Sequence, residues 1–130
     1  MTHILIVEDN ALFRRSLREA LSTRFPLLAI DEATNSKEAL QKVDALAPDL
    51  VFMDIKLPGV SGLELTERIK SLHDEITIIM LTSYDMPEYR EAAHKSGANY
   101  FFTKGNTRSS DILDLVEQIT AYGGARHQLS

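Results

Sequence analysis

The sequence has no cysteine, no long apolar run near its start and no dense cluster of basic side chains. Because cysteine is absent, disulfide bonds, thiolate zinc sites and thiol catalysis are excluded. The apolar stretch at residues 4–7 ends at Glu8 and Asp9, so it is too short for a signal peptide or a membrane span. We therefore expect a cytoplasmic protein that does not insert into a membrane.

The charge balance argues against direct nucleic-acid binding. The chain carries 14 basic and 19 acidic residues, a net charge of −5. Proteins that grip nucleic-acid phosphates usually cluster their Lys and Arg side chains on one surface. The densest basic group here is Arg14, Arg15 and Arg18, a spacing typical of the solvated face of a helix.

The size and composition favour one globular domain. The chain has 130 residues, of which 44% are hydrophobic and 25% charged. A chain of this length buries one sizeable core without disulfides or structural metals. We predict a folded domain over residues 1–122, with a flexible tail or the start of a linker over residues 123–130.

Short apolar runs alternate with amphipathic segments along the whole chain. Ile, Val, Leu and Phe dominate the runs with little polar alternation, which predicts strands covered on both faces. The runs are residues 3–7, 28–33, 50–53, 76–81 and 100–103.

The segments between these runs have the periodicity of helices. Apolar residues recur at three- and four-residue spacing, so each segment has one apolar face. The weakest is the fourth, around residues 86–96. The predicted apolar faces are Phe13, Leu17, Ala20 and Leu21; Ala39, Val43 and Leu46; Leu65, Ile69 and Leu72; Tyr89, Ala92 and Ala93; and Ile112, Leu115, Val116 and Ile119.

Capping residues support these helix boundaries. Asn35 with Glu38, and Asp85 with Glu88, have the spacing of N-terminal capping pairs. Gly97 stands where the fourth helix would end in a left-handed cap. Five β-α units in succession predict an α/β fold: a single doubly wound, flavodoxin-like, five-stranded parallel sheet in the order 2-1-3-4-5.

Acidic residues follow two strands that are neighbours in this order. Glu8 and Asp9 follow the first strand and Asp54 follows the third, so the three carboxylates should converge at the switch point of the sheet. They would repel one another without a hard cation such as Mg²⁺, which prefers oxygen ligands and commonly accompanies phosphate. The alternative is that Asp9 or Asn10 only caps the first helix.

A hydroxyl and an ammonium group are expected at the same edge. Thr82 ends the fourth strand and Lys104 follows the fifth. Phosphoryl oxygens need hydrogen-bond donors and positive charge, so these two side chains beside the carboxylates suit a site for phosphoryl transfer.

Four motifs in the chain resemble those of bacterial response-regulator receiver domains. The matching segments are residues 4–9, 50–62, 80–83 and 97–104. Together they are highly specific, and the resemblance covers about the first 120 residues. It implies that Asp54 accepts a phosphoryl group from a sensor histidine kinase or a phosphotransfer protein. It also implies that Glu8, Asp9 and Asp54 bind Mg²⁺, helped by the backbone carbonyl of Lys56.

The same resemblance implies a switch rather than an enzyme with turnover. Thr82 and Lys104 correspond to the hydroxyl and the lysine that meet the phosphoryl group, and Phe101 to the switch aromatic. Lys56 and Tyr84 occupy the two positions that tune dephosphorylation. The surface of helix four, strand five and helix five would then report the state of the site. Gly105, where the family often has proline, and Phe101, in place of the more frequent tyrosine, depart from the pattern.

Several alternatives remain open at this stage. An aspartate-based phosphatase usually has a second Asp two residues after its nucleophile, where this chain has Lys56. A flavin-binding module would need a hydroxyl-rich loop after the first strand. The chain could also be a receiver used only for docking. Its output could pass through a separate protein effector, or through a missing output domain such as the DNA-binding domain of a transcription regulator.

Overall fold

The computed structural model describes residues 2–120, in which five strands alternate with five helices. Their order matches the prediction, and the strand boundaries agree to within one residue. The elements are β1 (His3–Val7), α1 (Ala11–Arg24), β2 (Ala29–Ala33), α2 (Ser36–Leu46), β3 (Leu50–Met53), α3 (Gly62–Leu72), β4 (Thr77–Thr82), α4 (Pro87–Ser96), β5 (Tyr100–Thr103) and α5 (Ser109–Ile119).

All strand pairs in the sheet are parallel, and the order is β2-β1-β3-β4-β5. The predicted doubly wound topology is therefore confirmed. The expectation that every strand is covered on both faces is wrong for the two edge strands. In β2 only Ala33 is buried, and in β5 only Thr103, whereas every residue of β3 is buried. An edge strand has a neighbour on one side only, so fewer side chains cover it.

Side chains that alternate along each strand fill two separate cores. On one face, Leu5 and Met53 pack with residues of α2, α3 and α4. On the other, Ile6 and Phe52 pack with residues of α1 and α5. Successive strand residues point to opposite faces of a sheet. The near-continuous apolar runs of β1, β3 and β4 thus supply both cores at once.

The helix caps confirm part of the prediction. The Asn35 side chain accepts a hydrogen bond of 2.8 Å from the Glu38 N–H at the start of α2, and Gly97 ends α4 with a φ of +102°. The predicted capping by Asp85 is wrong. Met86 occupies the N-cap position, without a side-chain cap, because Pro87 begins the helix and its fixed φ favours the first helical position.

One predicted apolar face is shorter than expected. Leu72, at the last turn of α3, is 71% exposed, so the buried face of that helix ends at Ile69. In α4 the predicted face is turned inward, since Ala93 is buried and Tyr89 and Ala92 are half-buried. In the described part of the chain, no helix is long and apolar enough to span a membrane. The predicted tail over residues 123–130 lies outside the described residues.

Candidate functional site

The three acidic residues predicted to converge do so at one edge of the sheet. β1 and β3 are parallel neighbours, so Glu8 and Asp9 leave the sheet beside Asp54. Carboxylate oxygens of the three residues lie within 4.8 Å of one another. Glu8 and Asp54 are buried, whereas Asp9 is exposed. A set of three carboxylates suits a hard cation that takes oxygen ligands.

The start of α1 leaves these carboxylates available. Asn10, not Asp9, caps the helix, because its side-chain oxygen accepts a hydrogen bond of 3.0 Å from the Phe13 N–H. The Glu8 carboxylate in turn accepts a hydrogen bond of 3.0 Å from the Asn10 N–H. The alternative in which Asp9 serves as a helix cap is therefore wrong.

Lys104 reaches into the acidic cluster from the end of β5. Its Nζ lies 2.5 Å from Glu8 Oε1 and 3.0 Å from Asp54 Oδ2. The same Nζ lies 4.3 Å from the centre of the Phe13 ring, which forms an apolar and weakly attractive wall. Burial opposes the charge on Lys104, but the hydrogen bonds to Glu8 and Asp54 outweigh burial and raise its pKa. The lysine is thus held as a cation.

One lysine does not fully compensate the acids. Burial is the largest influence on Glu8 and raises the pKa of its carboxyl, and the nearby charge of Asp54 acts in the same direction. The hydrogen bonds from Lys104 and from the Asn10 N–H oppose this shift without cancelling it. Three carboxylates thus share one ammonium group, a net negative charge that suits a divalent cation.

Thr82 closes the cleft on the side of β4. Its side chain is buried, and its Oγ1 accepts a hydrogen bond of 3.4 Å from the Tyr84 N–H. The Lys104 N–H donates a hydrogen bond of 2.8 Å to the Thr82 carbonyl, so the ends of β4 and β5 are tied together. All peptide bonds in the described residues are trans, including the bond from Lys104 to Gly105.

All but one of the predicted site residues line a cleft of about 300 Å³. The exception is Phe101, which lies outside the cleft on the α4 side of β5. There it is half-buried beneath the Arg90 guanidinium, which lies 4.7 Å from its ring centre. The predicted site residues in the cleft lining are Glu8, Asp9, Asp54, Lys56, Thr82, Tyr84 and Lys104.

Gly62 holds the backbone around Asp54 in place. Its N–H donates a hydrogen bond of 2.7 Å to the Ile55 carbonyl. A Cβ at this position would lie 1.8 Å from the Asp54 carbonyl oxygen, far inside van der Waals contact. The first residue of α3 must therefore be glycine for the helix to approach the end of β3 this closely.

Two of the three clustered arginines of α1 make contacts that the sequence did not predict. All three were expected on a solvated helix face, and Arg15 is exposed. Arg14 Nε and Arg18 Nη1, however, each lie 2.6 Å from the Glu32 carboxylate on β2. Arg14 Nη1 also donates a hydrogen bond of 2.9 Å to the Glu8 carbonyl. Burial alone would raise the pKa of Glu32, but the hydrogen bonds from both arginines outweigh it and lower the pKa. The sequence alone could not reveal this network, because it joins side chains of α1 to a side chain of β2.

Comparison with known proteins agrees with the fold. The sequence profile described as the response regulator receiver domain matches residues 4–117. The chain is 36% identical over 116 residues to chemotaxis protein CheY of Halobacterium salinarum, covering 89% of this chain and 94% of CheY. It is 29% identical over 128 residues to response regulator GacA of Pseudomonas viridiflava, covering 98% of this chain and 58% of GacA.

A solved structure agrees as well. The CheY-like response regulator receiver domain protein from Methanospirillum hungatei superposes with a TM-score of 0.82 at 28% identity, covering 91% of this chain and 92% of that one. The fold and the site define a doubly wound α/β protein with an acidic cleft at its switch point. Within that class, the chain belongs to the response regulator receiver domain family. It spans 58% of the length of GacA.

Proposed function

We propose that this domain is the phosphoacceptor of a two-component phosphorelay and that Asp54 carries the phosphoryl group. One observation supports the proposal most directly. The Asp54 carboxylate lies 3.0 Å from the Lys104 ammonium, at the base of a cleft lined also by Glu8, Asp9 and Thr82. Phosphoryl transfer to a carboxylate requires positive charge and a hydrogen-bond donor nearby, so this arrangement supports that role for Asp54.

The carboxylates of Glu8, Asp9 and Asp54, with the backbone carbonyl of Lys56, would hold Mg²⁺ in this proposal. Bound there, the ion would supply positive charge that offsets repulsion between the acids and the phosphoryl oxygens. The close approach of three carboxylate side chains, within 4.8 Å of one another, supports this part of the proposal.

In the transfer step, an Asp54 carboxylate oxygen attacks the phosphorus of a phosphohistidine on a sensor kinase or a phosphotransfer protein. The new O–P bond forms as the P–N bond breaks, and the electron pair of that bond returns to the imidazole. Lys104 pairs with one phosphoryl oxygen and the Thr82 hydroxyl donates to another. Water later hydrolyses the acyl phosphate, at a rate that Lys56 and Tyr84 tune. The domain thus acts as a switch and not as an enzyme with turnover.

The switch surface in this proposal is formed by α4, β5 and α5. Movement of Thr82 toward the phosphoryl group would pull on the segment that leads into α4, and Phe101 would repack. Two features support this. α4 buries only Ala93, and Phe101 is half-buried with Arg90 above it. Few contacts therefore have to be broken when this surface rearranges.

The partners follow from the same proposal. Upstream we expect a histidine kinase or a phosphotransfer protein, and downstream either a separate protein effector or an output domain. Relatives of both kinds support these two alternatives for the output. CheY of Halobacterium salinarum, a chemotaxis protein, is matched over 94% of its length. YdfI of Bacillus subtilis, a transcriptional regulatory protein, is matched over 54%. We place the domain in the cytoplasm, without membrane or nucleic-acid contacts of its own.

The test is intact mass measurement after incubation with a small-molecule phosphoryl donor, with Mg²⁺ and with EDTA. The native chain should gain one phosphoryl group only with Mg²⁺, and Asp54→Asn should gain none. Asp44→Asn, on the exposed surface of α2, is the matched control and should behave like the native chain. Beryllofluoride should shift amide signals from Asp54 to Phe101. No mass gain and no shifts would leave a receiver that is used only for docking.

A further inference from the structure

The loop between β3 and α3 is tied to a helix that takes no direct part in the cleft. Ser36, the first residue of α2, is buried. Its N–H donates a hydrogen bond of 3.2 Å to the Pro58 carbonyl. Its hydroxyl donates a bond of 3.4 Å to the same carbonyl and accepts one of 3.0 Å from the Val60 N–H. One side chain thus binds the loop on both sides of Gly59.

Gly59 shows how closely the loop and the serine fit. Its φ is +96°, in the region that favours glycine. A Cβ added there would lie 2.2 Å from the Ser36 hydroxyl oxygen but 3.5 Å from Ser36 Cβ, an ordinary contact distance. The hydroxyl, and not the rest of the serine, therefore fills the space beside Gly59.

The loop is fixed at its other end as well, by the hydrogen bond from the Gly62 N–H to the Ile55 carbonyl. Lys56 lies between these two anchors and lines the cleft. It is an exposed residue, unlike its neighbours Ile55 and Leu57. Its position is thus determined by the anchors on either side more than by its own packing.

We propose that Ser36 is a positioning residue for the metal site, which holds the loop so that the Lys56 carbonyl faces the cation. This inference rests on the proposed function, because it assigns Ser36 a role in Mg²⁺ binding at the same cleft. Groups that orient metal ligands commonly change metal affinity by about 10- to 100-fold when they are removed. Ser36 does so from α2, through two hydrogen bonds of one hydroxyl.

The experiment follows the phosphorylation rate as a function of Mg²⁺ concentration in the native chain and in Ser36→Ala. The variant should need about tenfold more Mg²⁺ for half-maximal rate, while its rate at saturating Mg²⁺ stays within about twofold of the native value. We expect the Mg²⁺ affinity to change without the saturated rate because Ser36 orients a metal ligand and does not contact Asp54. Mg²⁺ titration followed by amide spectra, without any phosphoryl donor, should give the same shift in affinity.

Ser96→Ala is the matched control. Ser96 is half-buried and its hydroxyl bonds a backbone carbonyl, that of Ala92, at the end of α4. The control should leave the half-saturating Mg²⁺ concentration unchanged. In Ser36→Ala, the Val60 amide proton should also move upfield, since it loses its acceptor.

A double-mutant cycle tests the contact itself. Gly59→Ala should raise the half-saturating Mg²⁺ concentration in the native background, because the new Cβ meets the Ser36 hydroxyl. In the Ser36→Ala background, Gly59→Ala should raise the half-saturating Mg²⁺ concentration by a factor that is at least about threefold smaller. The clash is removed there, and only the backbone strain remains. An equal increase in the half-saturating Mg²⁺ concentration in both backgrounds would overturn the proposed contact between Gly59 and the Ser36 hydroxyl.

The outcomes separate the two proposals. If the native chain binds no Mg²⁺ at the cleft, the proposed function fails and this inference fails with it. If the native chain binds Mg²⁺ and Ser36→Ala matches the Ser96→Ala control, only the role of Ser36 is overturned. A fall in the rate at saturating Mg²⁺ as large as the loss of affinity would also overturn it, because Ser36 would then act on the acceptor or the fold.

Discussion

Two segments leave the same edge of the sheet and border the same cleft, yet they are held in different ways. The segment that follows β3 is anchored at Ser36 and at Gly62, and the helix it enters, α3, has a side-chain cap from Ser61 and four buried residues. The segment that follows β4 enters α4, which has no side-chain cap and one buried residue, Ala93.

The difference lies in how firmly the two segments are packed beside the same cleft. Many buried contacts and backbone hydrogen bonds raise the free energy of local opening, and few of them lower it. The β3–α3 side thus holds Asp54 in one position. The β4–α4 side is joined to the cleft through Thr82 and Tyr84, and α4 contributes one buried residue, Ala93, and the half-buried Tyr89 to the core.

The largest test of this contrast is at Gly62. Gly62→Ala should lower the free energy of unfolding by about 3 kcal/mol, the upper end for overpacking, because its Cβ would lie 1.8 Å from the Asp54 carbonyl oxygen. Urea denaturation measures the change. Gly105→Ala is the control, since its Cβ would meet nothing within 4 Å, and should change stability by less than about 0.5 kcal/mol. A similar, small effect at both glycines would remove the argument for a tightly held loop after β3.

Hydrogen exchange compares the two segments directly. The Gly62 amide, bonded at 2.7 Å to the Ile55 carbonyl, should exchange at least about a hundredfold more slowly than the Tyr89 amide, bonded at 3.0 Å to the Met86 carbonyl. The Gly62 hydrogen bond should break only when the core opens, whereas the Tyr89 hydrogen bond should break when the first turn of α4 opens. Residue-resolved exchange by NMR provides the comparison, and equal protection of the two amides would contradict it.

A smaller effect is expected from the aromatic pair at the start of α4. The rings of Tyr84 and Tyr89 are stacked with their centres 4.8 Å apart. Tyr89→Ala should cost about 1.5 kcal/mol of stability and shift the ring signals of Tyr84, whereas Tyr89→Phe keeps the stack and should preserve both. If the alanine variant leaves the Tyr84 signals unchanged, the stack does not hold that side chain at the cleft.

The smallest expected change is at Arg90, which lies over Phe101 on an exposed surface. Arg90→Ala should lower the free energy of unfolding by about 0.5 kcal/mol and shift the ring signals of Phe101. Arg15→Ala, an exposed arginine of α1, should leave those signals in place. A loss larger than about 1.5 kcal/mol, three times the typical exposed value, would contradict the comparison. It would mean that α4 is not held more weakly than the segment after β3.

Local patterns in the chain were sufficient to predict the elements and the acidic cluster. Strand composition and helical spacing predicted all ten elements, because continuous apolar runs differ from apolar residues at three- and four-residue spacing. The convergence of Glu8, Asp9 and Asp54 followed from the topology, since the carboxyl ends of neighbouring parallel strands meet at one edge. The cap at Asn35 depended only on a neighbour three residues away.

Contacts between distant parts of the chain decided the rest. The pairing of Arg14 and Arg18 with Glu32, the exposure of Leu72 and the hold of Ser36 on the loop after β3 have no local pattern. Each depends on which helix packs beside which strand and on how closely the two approach. Periodicity reveals which face of an element is buried, but only the packed tertiary structure determines which side chain that face meets.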